Sequence, residues 1–258
     1  MITGSASGMG AATRARLEAA GQRVVGVDLR DAEVVADLGT PEGRSAAIEA
    51  VAARTDGRVD GLVTWAGIAG LTDGSGALLA SVNYFGTIAL LEGLRPLLAR
   101  GDRPAAVAIS SNSTTVQPKV PRDVIEACLA GDETAACAAA EAAGAPGTYP
   151  ATKTAIAWWV RRHAPGDDWA GAGITLNAVA PGAVETPLLQ ASRDDRVLGQ
   201  FIDAFPIPVG RKGEPDEIAA FVEFLLGPDA RFFCGSVVFV DGGTDAQLRP
   251  DDQPQPWS

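Results

Sequence analysis

Short apolar runs alternate with longer amphipathic stretches along most of this 258-residue chain. Consecutive apolar positions are typical of strands buried on both faces of a sheet. The predicted strands lie at residues 23–28, 59–64, 105–109 and 237–240. The predicted helices, which show helical periodicity, lie at residues 11–20, 41–54, 76–100, 152–163 and 215–226. This alternation predicts an α/β fold, a Rossmann-type doubly wound parallel sheet with helices on both faces.

The first strand of such a sheet is short in this sequence. Only Met1 and Ile2 precede Thr3, although the first strand of this fold is expected near the centre of the sheet. Each absent apolar residue could forfeit roughly 1.5–3 kcal/mol of burial. We therefore expect either that the natural protein begins upstream or that this chain is less stable than one with a longer strand.

Two segments interrupt the alternation. Residues 112–146 contain two alanine-rich helical patterns, 122–130 and 132–143, and form a predicted helical insertion. Residues 184–210 are long and irregular, which more often marks a functional loop than an error of assignment, so they form a predicted substrate lid. We expect residues 1–249 to form a single domain and residues 250–258, rich in Pro and Gln, to form a loosely attached tail.

Composition narrows the possible partners. The net charge of −11 argues against nucleic-acid binding, because phosphate contacts need clustered Lys and Arg. No uninterrupted apolar run approaches the roughly 18 residues that span a bilayer, so we expect no membrane segment, and the N-terminus shows no secretory signal. The three cysteines lack metal-ligand spacing, so we expect no metal site and a reducing, cytoplasmic location.

A glycine-rich turn lies between the first strand and the first helix. Gly4 permits a tight turn, Gly8 allows the backbone to approach a pyrophosphate, and Gly10 allows close helix packing. This motif alone is weak, since an ordinary strand–helix turn has a similar composition. Asp28 strengthens it, because a carboxylate at the end of the second strand accepts both ribose hydroxyls of NAD and repels the 2′-phosphate of NADP. The sequence therefore predicts NAD as the cofactor.

Tyr149 precedes Lys153 by four residues, so the two side chains share one helical face. A free phenol, with a pKa of about 10, is a poor base, but a nearby ammonium and a positive nicotinamide ring favour its ionised form. Ser111 follows a strand and can hold a substrate oxygen. The alternative is a surface helix pair worth a few tenths of a kcal/mol. The order of these motifs favours proton transfer by Tyr149.

Together these motifs resemble the short-chain dehydrogenase/reductase family over nearly the whole chain. The resemblance implies four catalytic residues, namely Tyr149, Lys153, Ser111 and Asn83, of which Asn83 supports a proton relay and Ser111 and Tyr149 contact substrate. It also implies cofactor contacts from Gly4, Ser5, Ala6, Ser7, Gly8, Met9, Asp28, Asp37, Leu38, Gly67, Tyr149, Lys153 and Thr186. One departure is Trp65, where most members carry Asn before Ala-Gly.

Within the family, several runs resemble the bacterial 3α-hydroxysteroid dehydrogenase and carbonyl reductase group. The 38 positions between Ser111 and Tyr149 (149 − 111) exceed the usual spacing, and coniferyl-type aryl alcohol dehydrogenases share a comparable insertion. The resemblance implies reversible oxidation of a secondary alcohol to a ketone on a bulky apolar small molecule. It also implies a homodimer, because in that group the insertion blocks the tetramer contact. A non-catalytic NAD-sensing regulator on the same scaffold is the alternative of another class.

Overall fold

A computed structural model of the chain describes residues 1–252 and contains one parallel sheet of seven strands in the order β3-β2-β1-β4-β5-β6-β7. The strands are β1 (Ile2–Thr3), β2 (Gly26–Asp28), β3 (Val34–Val35), β4 (Gly61–Thr64), β5 (Ala105–Ile109), β6 (Thr175–Pro181) and β7 (Val237–Val240). The order reverses between β1 and β4, which is the point where ligands bind in doubly wound sheets. The predicted fold class is confirmed.

Helices connect successive strands and cover both faces of the sheet. They are α1 (Gly8–Ala19), α2 (Pro41–Arg54), α3 (Gly76–Ala80), α4 (Thr87–Leu98), α5 (Ser113–Val116), α6 (Arg122–Ala130), α7 (Glu133–Ala143), α8 (Ala145–His163), α9 (Pro187–Asp194), α10 (Gly199–Ile202), α11 (Pro215–Leu226) and α12 (Thr244–Leu248). A π-helical segment, Ser81–Gly86, joins α3 to α4. One core lies between the sheet and α1 and α11, and the larger core lies under α2, α4 and α8.

Two strands were not predicted. β3 has only two residues, Val34–Val35, and is too short to show a pattern. β6 is buried along all seven of its residues. Its apolar run is interrupted by Asn177, whose amide nitrogen donates to the carbonyl of Phe233 at 2.9 Å and whose oxygen accepts from the backbone N–H of Ser236 at 3.0 Å. A buried polar side chain is tolerated there because both ends are hydrogen-bonded.

The segment predicted as a helix over residues 76–100 combines length with an apolar composition. Gly76–Leu98 is long and apolar enough to cross a bilayer by length and composition, with a mean hydropathy of 1.4. In the fold, however, its large apolar side chains Leu79, Leu90, Leu91, Leu94 and Leu98 are almost completely buried against the sheet and neighbouring helices. It has the features of a core helix, and such helices pass the same test.

The insertion contains three helices, two of which, α6 and α7, pack onto the helices over the larger core. α6 and α7 lie where the sequence predicts them, and Gly131 ends α6 in a left-handed conformation with φ 73°. α7 packs against α3 so closely that a Cβ on Gly76 would lie 2.0 Å from the carbonyl oxygen of Ala140. The short α5 instead faces the carboxyl edge of the sheet. Of the predicted tail, Pro250 to Asp252 follow α12 in a turn, and residues 253–258 lie outside the described residues.

Candidate active site

The site lies at the carboxyl edge of the sheet, where β5 and α8 approach each other. β5 ends at Ile109, and the chain then turns through Ser111, which is 8% exposed. α8 carries Tyr149 and Lys153 one turn apart. The sequence predicted a helix only from residue 152, but α8 begins at Ala145 because Pro146 occupies its first turn, where a proline is tolerated. Tyr149 is therefore held on a regular helix.

Tyr149 and Ser111 line the same cavity. Burial raises the pKa of Tyr149, and the neighbouring Ser111 hydroxyl only partly opposes that rise. This differs from the expectation that the neighbouring ammonium lowers the tyrosine pKa. The Lys153 Nζ lies 5.9 Å from the centroid of the phenol ring, and desolvation outweighs its influence in the protein alone.

Lys153 is almost completely buried, at 5% exposure. Its Nζ donates a hydrogen bond to the carbonyl oxygen of Ile109 at 2.9 Å, which fixes the amine beside the end of β5. Burial lowers the pKa of Lys153 to about 8, because the charged ammonium loses its hydration. The side chain retains further N–H groups that can donate to a ligand.

Asn83 lies in the π-helical segment and is fully buried. Its Oδ1 accepts from the backbone N–H of Ile68 at 2.8 Å, and its Nδ2 donates to the Ile68 carbonyl at 3.0 Å. The side chain thus holds the loop after β4. Gly67 in this loop is tightly enclosed, since a Cβ there would lie 3.1 Å from Asn83 Oδ1 and 3.8 Å from Lys153 Nζ.

A cavity of about 440 Å³ opens over the Ser111 and Tyr149 hydroxyls. Its walls come from the loop after β4, from α5 and from the predicted lid, where α9, α10 and residues next to α10 supply apolar side chains. These are Leu188, Leu189, Leu198, Phe201, Ile202 and Phe205. The lid, expected to be irregular, therefore contains two short helices. Within residues 1–252, Lys153 is the one charged side chain in the cavity wall.

A second groove of about 340 Å³ adjoins the cavity and begins at the glycine-rich turn. Gly4 and Gly8 adopt left-handed conformations with φ 65° and 53°, which side chains bearing a Cβ rarely adopt. Gly10 packs against the turn, and a Cβ there would lie 2.0 Å from the carbonyl oxygen of Gly4. Ser7 precedes α1 without a side-chain cap, so backbone N–H groups at this helix start remain available to an anion.

Asp28 lies at the end of β2 in the wall of this groove. Its Oδ2 accepts from the backbone N–H of Ala6 at 2.9 Å, and its Oδ1 accepts from Leu29 at 2.7 Å. The carboxylate is thereby fixed against the glycine turn. Asp28 and Asp37 are the charged side chains of the groove within residues 1–252, and no lysine or arginine of that part lines it. A negative groove of this kind fits free ribose hydroxyls better than a 2′-phosphate.

The structure brings most of the predicted cofactor residues to this groove. Its walls include Gly4, Ser7, Gly8, Met9, Asp28, Asp37, Leu38, Gly67 and Thr186. Tyr149 and Lys153 lie in the adjoining cavity. Ser5 and Ala6 do not line the groove. Ser5 is 3% exposed, and its hydroxyl packs under Gly26, where a Cβ would lie 2.3 Å from Ser5 Oγ. The backbone of Ala6 instead binds Asp28.

Trp65 is a wall residue to which sequence reasoning assigned no role. It lines both the cavity and the groove, and it packs against the core around β1, β4 and β5. A Cβ on Gly10 would lie 3.3 Å from Trp65 Cβ, so the indole abuts the glycine turn. The sequence signal for this position was the presence of Trp where most members of the family carry Asn. In the structure, a large aromatic side chain lies between the cavity and the groove in place of an amide.

Comparison with known proteins agrees with this geometry. A family model described as enoyl-(acyl carrier protein) reductase matches residues 133–245. A 3-alpha-hydroxysteroid dehydrogenase/carbonyl reductase of Comamonas testosteroni is 45% identical to this chain over 253 residues, which cover 97% of each protein. The chain belongs to the short-chain dehydrogenase/reductase family.

Further members support the same assignment. The crystal structure of a 3-alpha-hydroxysteroid dehydrogenase from Pseudomonas sp. B-0831, complexed with NADH, has a TM-score of 0.93 and 48% sequence identity, with 97% of this chain and 98% of that chain covered. A coniferyl-alcohol dehydrogenase of Pseudomonas sp. (strain HR199) is 29% identical over 251 residues and 94% of each protein. As a short-chain dehydrogenase/reductase, the chain is an oxidoreductase, and the predicted family, fold class and enzyme class are confirmed.

Proposed function

We propose that this short-chain dehydrogenase/reductase uses NAD to interconvert a secondary alcohol and a ketone on a bulky, uncharged, apolar substrate of the 3α-hydroxysteroid type. The observation that carries the proposal is that Ser111, Tyr149 and Lys153 together line an apolar cavity, next to the dinucleotide groove. The relative from Pseudomonas sp. B-0831 with 48% identity is complexed with NADH, which supports the choice of cofactor.

The groove fits a nicotinamide dinucleotide in three respects. The left-handed glycines leave room for a pyrophosphate at the start of α1. Asp28 lies in the groove wall, where its carboxylate can accept hydrogen bonds from ribose hydroxyls. The segment that contains Asp37 and Leu38 lies where an adenine ring would rest, and Thr186 begins α9 at the opposite end. The cofactor is NAD, and when bound it accepts the hydride from the alcohol or returns it to the ketone.

Each residue of the site has a role that its contacts support. Tyr149 donates its hydroxyl proton to the carbonyl oxygen during reduction and takes it back during oxidation. Ser111 holds the same substrate oxygen through a hydrogen bond. Lys153, anchored on Ile109, presents its remaining N–H groups to a ribose and adds positive charge beside the phenol. Asn83 positions the loop that contains Gly67.

The cavity wall favours an uncharged substrate. Apolar side chains of α9 and α10 enclose it, and its volume of about 440 Å³ lies within the ~300–1,000 Å³ of pockets that bury a drug-sized ligand. A substrate carried on a phosphate-bearing acyl carrier would need cationic side chains, and the cavity offers only Lys153 within the described residues. The match to a family model described as an enoyl-(acyl carrier protein) reductase therefore reflects the fold rather than the substrate.

An aryl alcohol of the coniferyl type is the second candidate substrate. The relative of that name covers nearly the whole chain, and a flat aromatic alcohol would also fit an apolar cavity. A non-catalytic NAD sensor is disfavoured by the presence of Tyr149, Lys153 and Ser111 together in the wall of one cavity. For the assembly we propose a homodimer, and for the location the cytoplasm, as composition suggests.

Absorbance of NADH during turnover tests the function directly. Purified protein with NAD should reduce the cofactor when supplied with 3α-hydroxysteroids, and a panel of coniferyl-type and short aliphatic alcohols should react more slowly. Higher kcat/KM for the aryl alcohols would transfer the assignment to the second candidate. NADH binding without turnover of any alcohol or ketone in the panel would favour the sensor.

A further inference from the structure

Arg44 is a buried cation outside the site described so far. It lies on α2, is 6% exposed, and approaches the ring of Phe85 with Cζ 5.9 Å from the centroid. A buried guanidinium is strongly unfavourable unless it is paired and fully hydrogen-bonded. Each group that accepts a hydrogen bond from Arg44 is therefore held in place, because losing that bond would leave a buried charge unpaired.

The hydrogen bonds of Arg44 join three separate parts of the chain. Nε donates to the Leu38 carbonyl at 2.8 Å, and Nη2 donates to the Ser81 carbonyl at 3.0 Å. Both terminal nitrogens bind the carboxylate of Glu133, each at 2.7 Å. The guanidinium thus links the groove wall at Leu38, the start of the π-helical segment, and helix α7 of the insertion.

The position of Leu38 gives this link a consequence for ligand binding. Asp37 and Leu38 form the groove wall at the end farthest from Tyr149, and the backbone N–H of Gly39 donates to Asp37 Oδ1 at 2.8 Å. Behind Leu38 the packing is tight, since a Cβ on Gly86 would lie 3.2 Å from Leu38 Cβ. The carbonyl of Leu38 is held by Arg44 from the protein side, so its geometry depends on the guanidinium.

We propose that Arg44 and Glu133 position the segment that receives the adenine end of the dinucleotide. Through Glu133, the insertion therefore contributes to cofactor binding. This inference rests on the proposed function, because it assumes a dinucleotide in the groove. Glu133 acts as a positioning residue: its bidentate carboxylate fixes the plane of the guanidinium, and that plane fixes the Leu38 carbonyl. The effect should fall on binding of the adenine half and spare the hydride-transfer step.

Glu133→Gln tests the proposal, with Glu141→Gln as the matched control. Glu141 lies on the same helix and accepts from Ser75 Oγ and the backbone of Ala77, both at 3.0 Å, with no link to Arg44. Dissociation constants for ADP-ribose and NADH are measured by titration calorimetry, and kcat at saturating NADH is measured in parallel. Glu133→Gln should raise both constants about tenfold, a change equivalent to ~1.4 kcal/mol, with kcat unchanged. Glu141→Gln should alter neither constant.

The remaining outcomes separate this inference from the proposed function. Unchanged constants in Glu133→Gln, with or without a lower Tm, would show a purely structural ion pair and overturn the proposal. A lower kcat together with weaker binding would also overturn it, because the whole site would then have loosened. Arg44→Lys keeps the charge but loses the planar fork, and should weaken ADP-ribose binding if the fork positions Leu38. Failure of the unmutated protein to bind ADP-ribose would instead contradict the proposed function.

Discussion

Tyr149 is half-buried and Lys153 is buried, and loss of hydration favours the uncharged form of each side chain. The pKa of Tyr149 is raised and that of Lys153 is lowered to about 8, so the two pKa values move apart. The phenol therefore enters the site as a proton donor, ready for ketone reduction. Alcohol oxidation needs the opposite state, and positive charge next to the phenol, from Lys153 and from bound NAD, has to supply it.

Tyr149→Phe tests the proton-transfer role. The variant should lose roughly 10²–10⁴-fold in kcat, the usual contribution of a general acid or base, while its NADH dissociation constant stays within about twofold. Tyr84→Phe is the matched control, because Tyr84 is the other tyrosine, is buried, and lies outside the cavity wall. Retention of more than about a tenth of the activity in Tyr149→Phe would contradict the assignment.

Lys153→Met should stabilise the ligand-free protein while abolishing turnover. The folded pKa of about 8 lies below the unfolded value of 10.5, so the unfolded chain holds the proton more tightly. The resulting penalty is fully present below about pH 8 and disappears as the pH rises toward 10.5. Lys153→Met removes at most ~3 kcal/mol of it, offset by the lost hydrogen bond to Ile109.

Urea unfolding near neutral pH and in the alkaline range measures this effect. The gain from Lys153→Met should be largest near neutrality and should shrink under alkaline conditions. Lys119→Met serves as the control, since Lys119 is exposed and should contribute nothing comparable. An equal difference between Lys153→Met and the unmutated protein at both pH values would mean that the buried amine is not the cause.

Asp28 controls the choice between cofactors. Asp28→Ala should weaken NAD binding and relieve the exclusion of NADP, because it removes two hydroxyl contacts and a repulsive charge. Asp28→Asn separates these effects, since it removes the charge but keeps side-chain hydrogen bonding. We expect kcat/KM for NAD relative to NADP to fall in both variants, and NAD affinity to fall more in Asp28→Ala. Equal efficiency with the two cofactors in the unmutated protein would refute this interpretation.

Residue types and spacing were sufficient to locate the Ser111, Tyr149 and Lys153 side chains, because each lies at a strand end or one turn along a helix. The hydrogen bond from Lys153 to Ile109 and the use of the Asn83 amide by Ile68 could not be predicted. Both are contacts between segments far apart in sequence. The raised pKa of Tyr149 in the protein without cofactor could not be predicted either, since burial is a property of the folded packing.

At the level of elements, long periodic segments were predictable and short or interrupted ones were not. α2 has the bounds that its sequence pattern predicts, residues 41–54. The Thr40 side chain caps it by accepting a hydrogen bond from the N–H of Gly43 at 3.1 Å. β6 escaped prediction because Asn177 interrupts its apolar run. The π-helical segment that carries Asn83 has no signature in the pattern. It packs against α8 and α7, and Arg44 of α2 donates to the Ser81 carbonyl at its start.

The lid should select for bulky substrates. Phe201 on α10 lines the cavity yet is 58% exposed, so a large apolar ligand would bury much of its ring. Phe201→Ala should raise KM for a 3α-hydroxysteroid by roughly tenfold, since burying a phenylalanine is worth about 1.5–3 kcal/mol, and should barely affect a small aliphatic alcohol. Phe224→Ala is the control, because Phe224 is also exposed and lies outside the cavity wall. Equal losses for both substrates would contradict selection by the lid.

At the scale of the whole molecule, the insertion lies on the outer surface of the helices that cover the larger core. α7 packs on α3, and α6 packs on α8, so helices that would otherwise face solvent are covered within the same chain. The apolar stripe of α6 is buried in this contact, with Val124, Ile125 and Cys128 at most 3% exposed. Of the insertion, only α5, the residues directly before and after it, and Pro146 reach the cavity wall. The insertion therefore covers a helical surface more than it closes the cleft.

This arrangement predicts a homodimer in solution. We propose that α6 and α7 block the assembly of a second pair of subunits through the long helices before and after Ser111, since α7 packs on α3 and α6 packs on α8. Light scattering on the purified protein should give twice the chain mass of 26.4 kDa. Replacement of residues 122–143 by a short Gly/Ser linker should expose α3 and α8 and shift the protein to larger assemblies, since long surface segments contribute little closure entropy. A tetramer that is unchanged by this deletion would rule out the blocking role, and a monomeric parent protein would contradict the dimer itself.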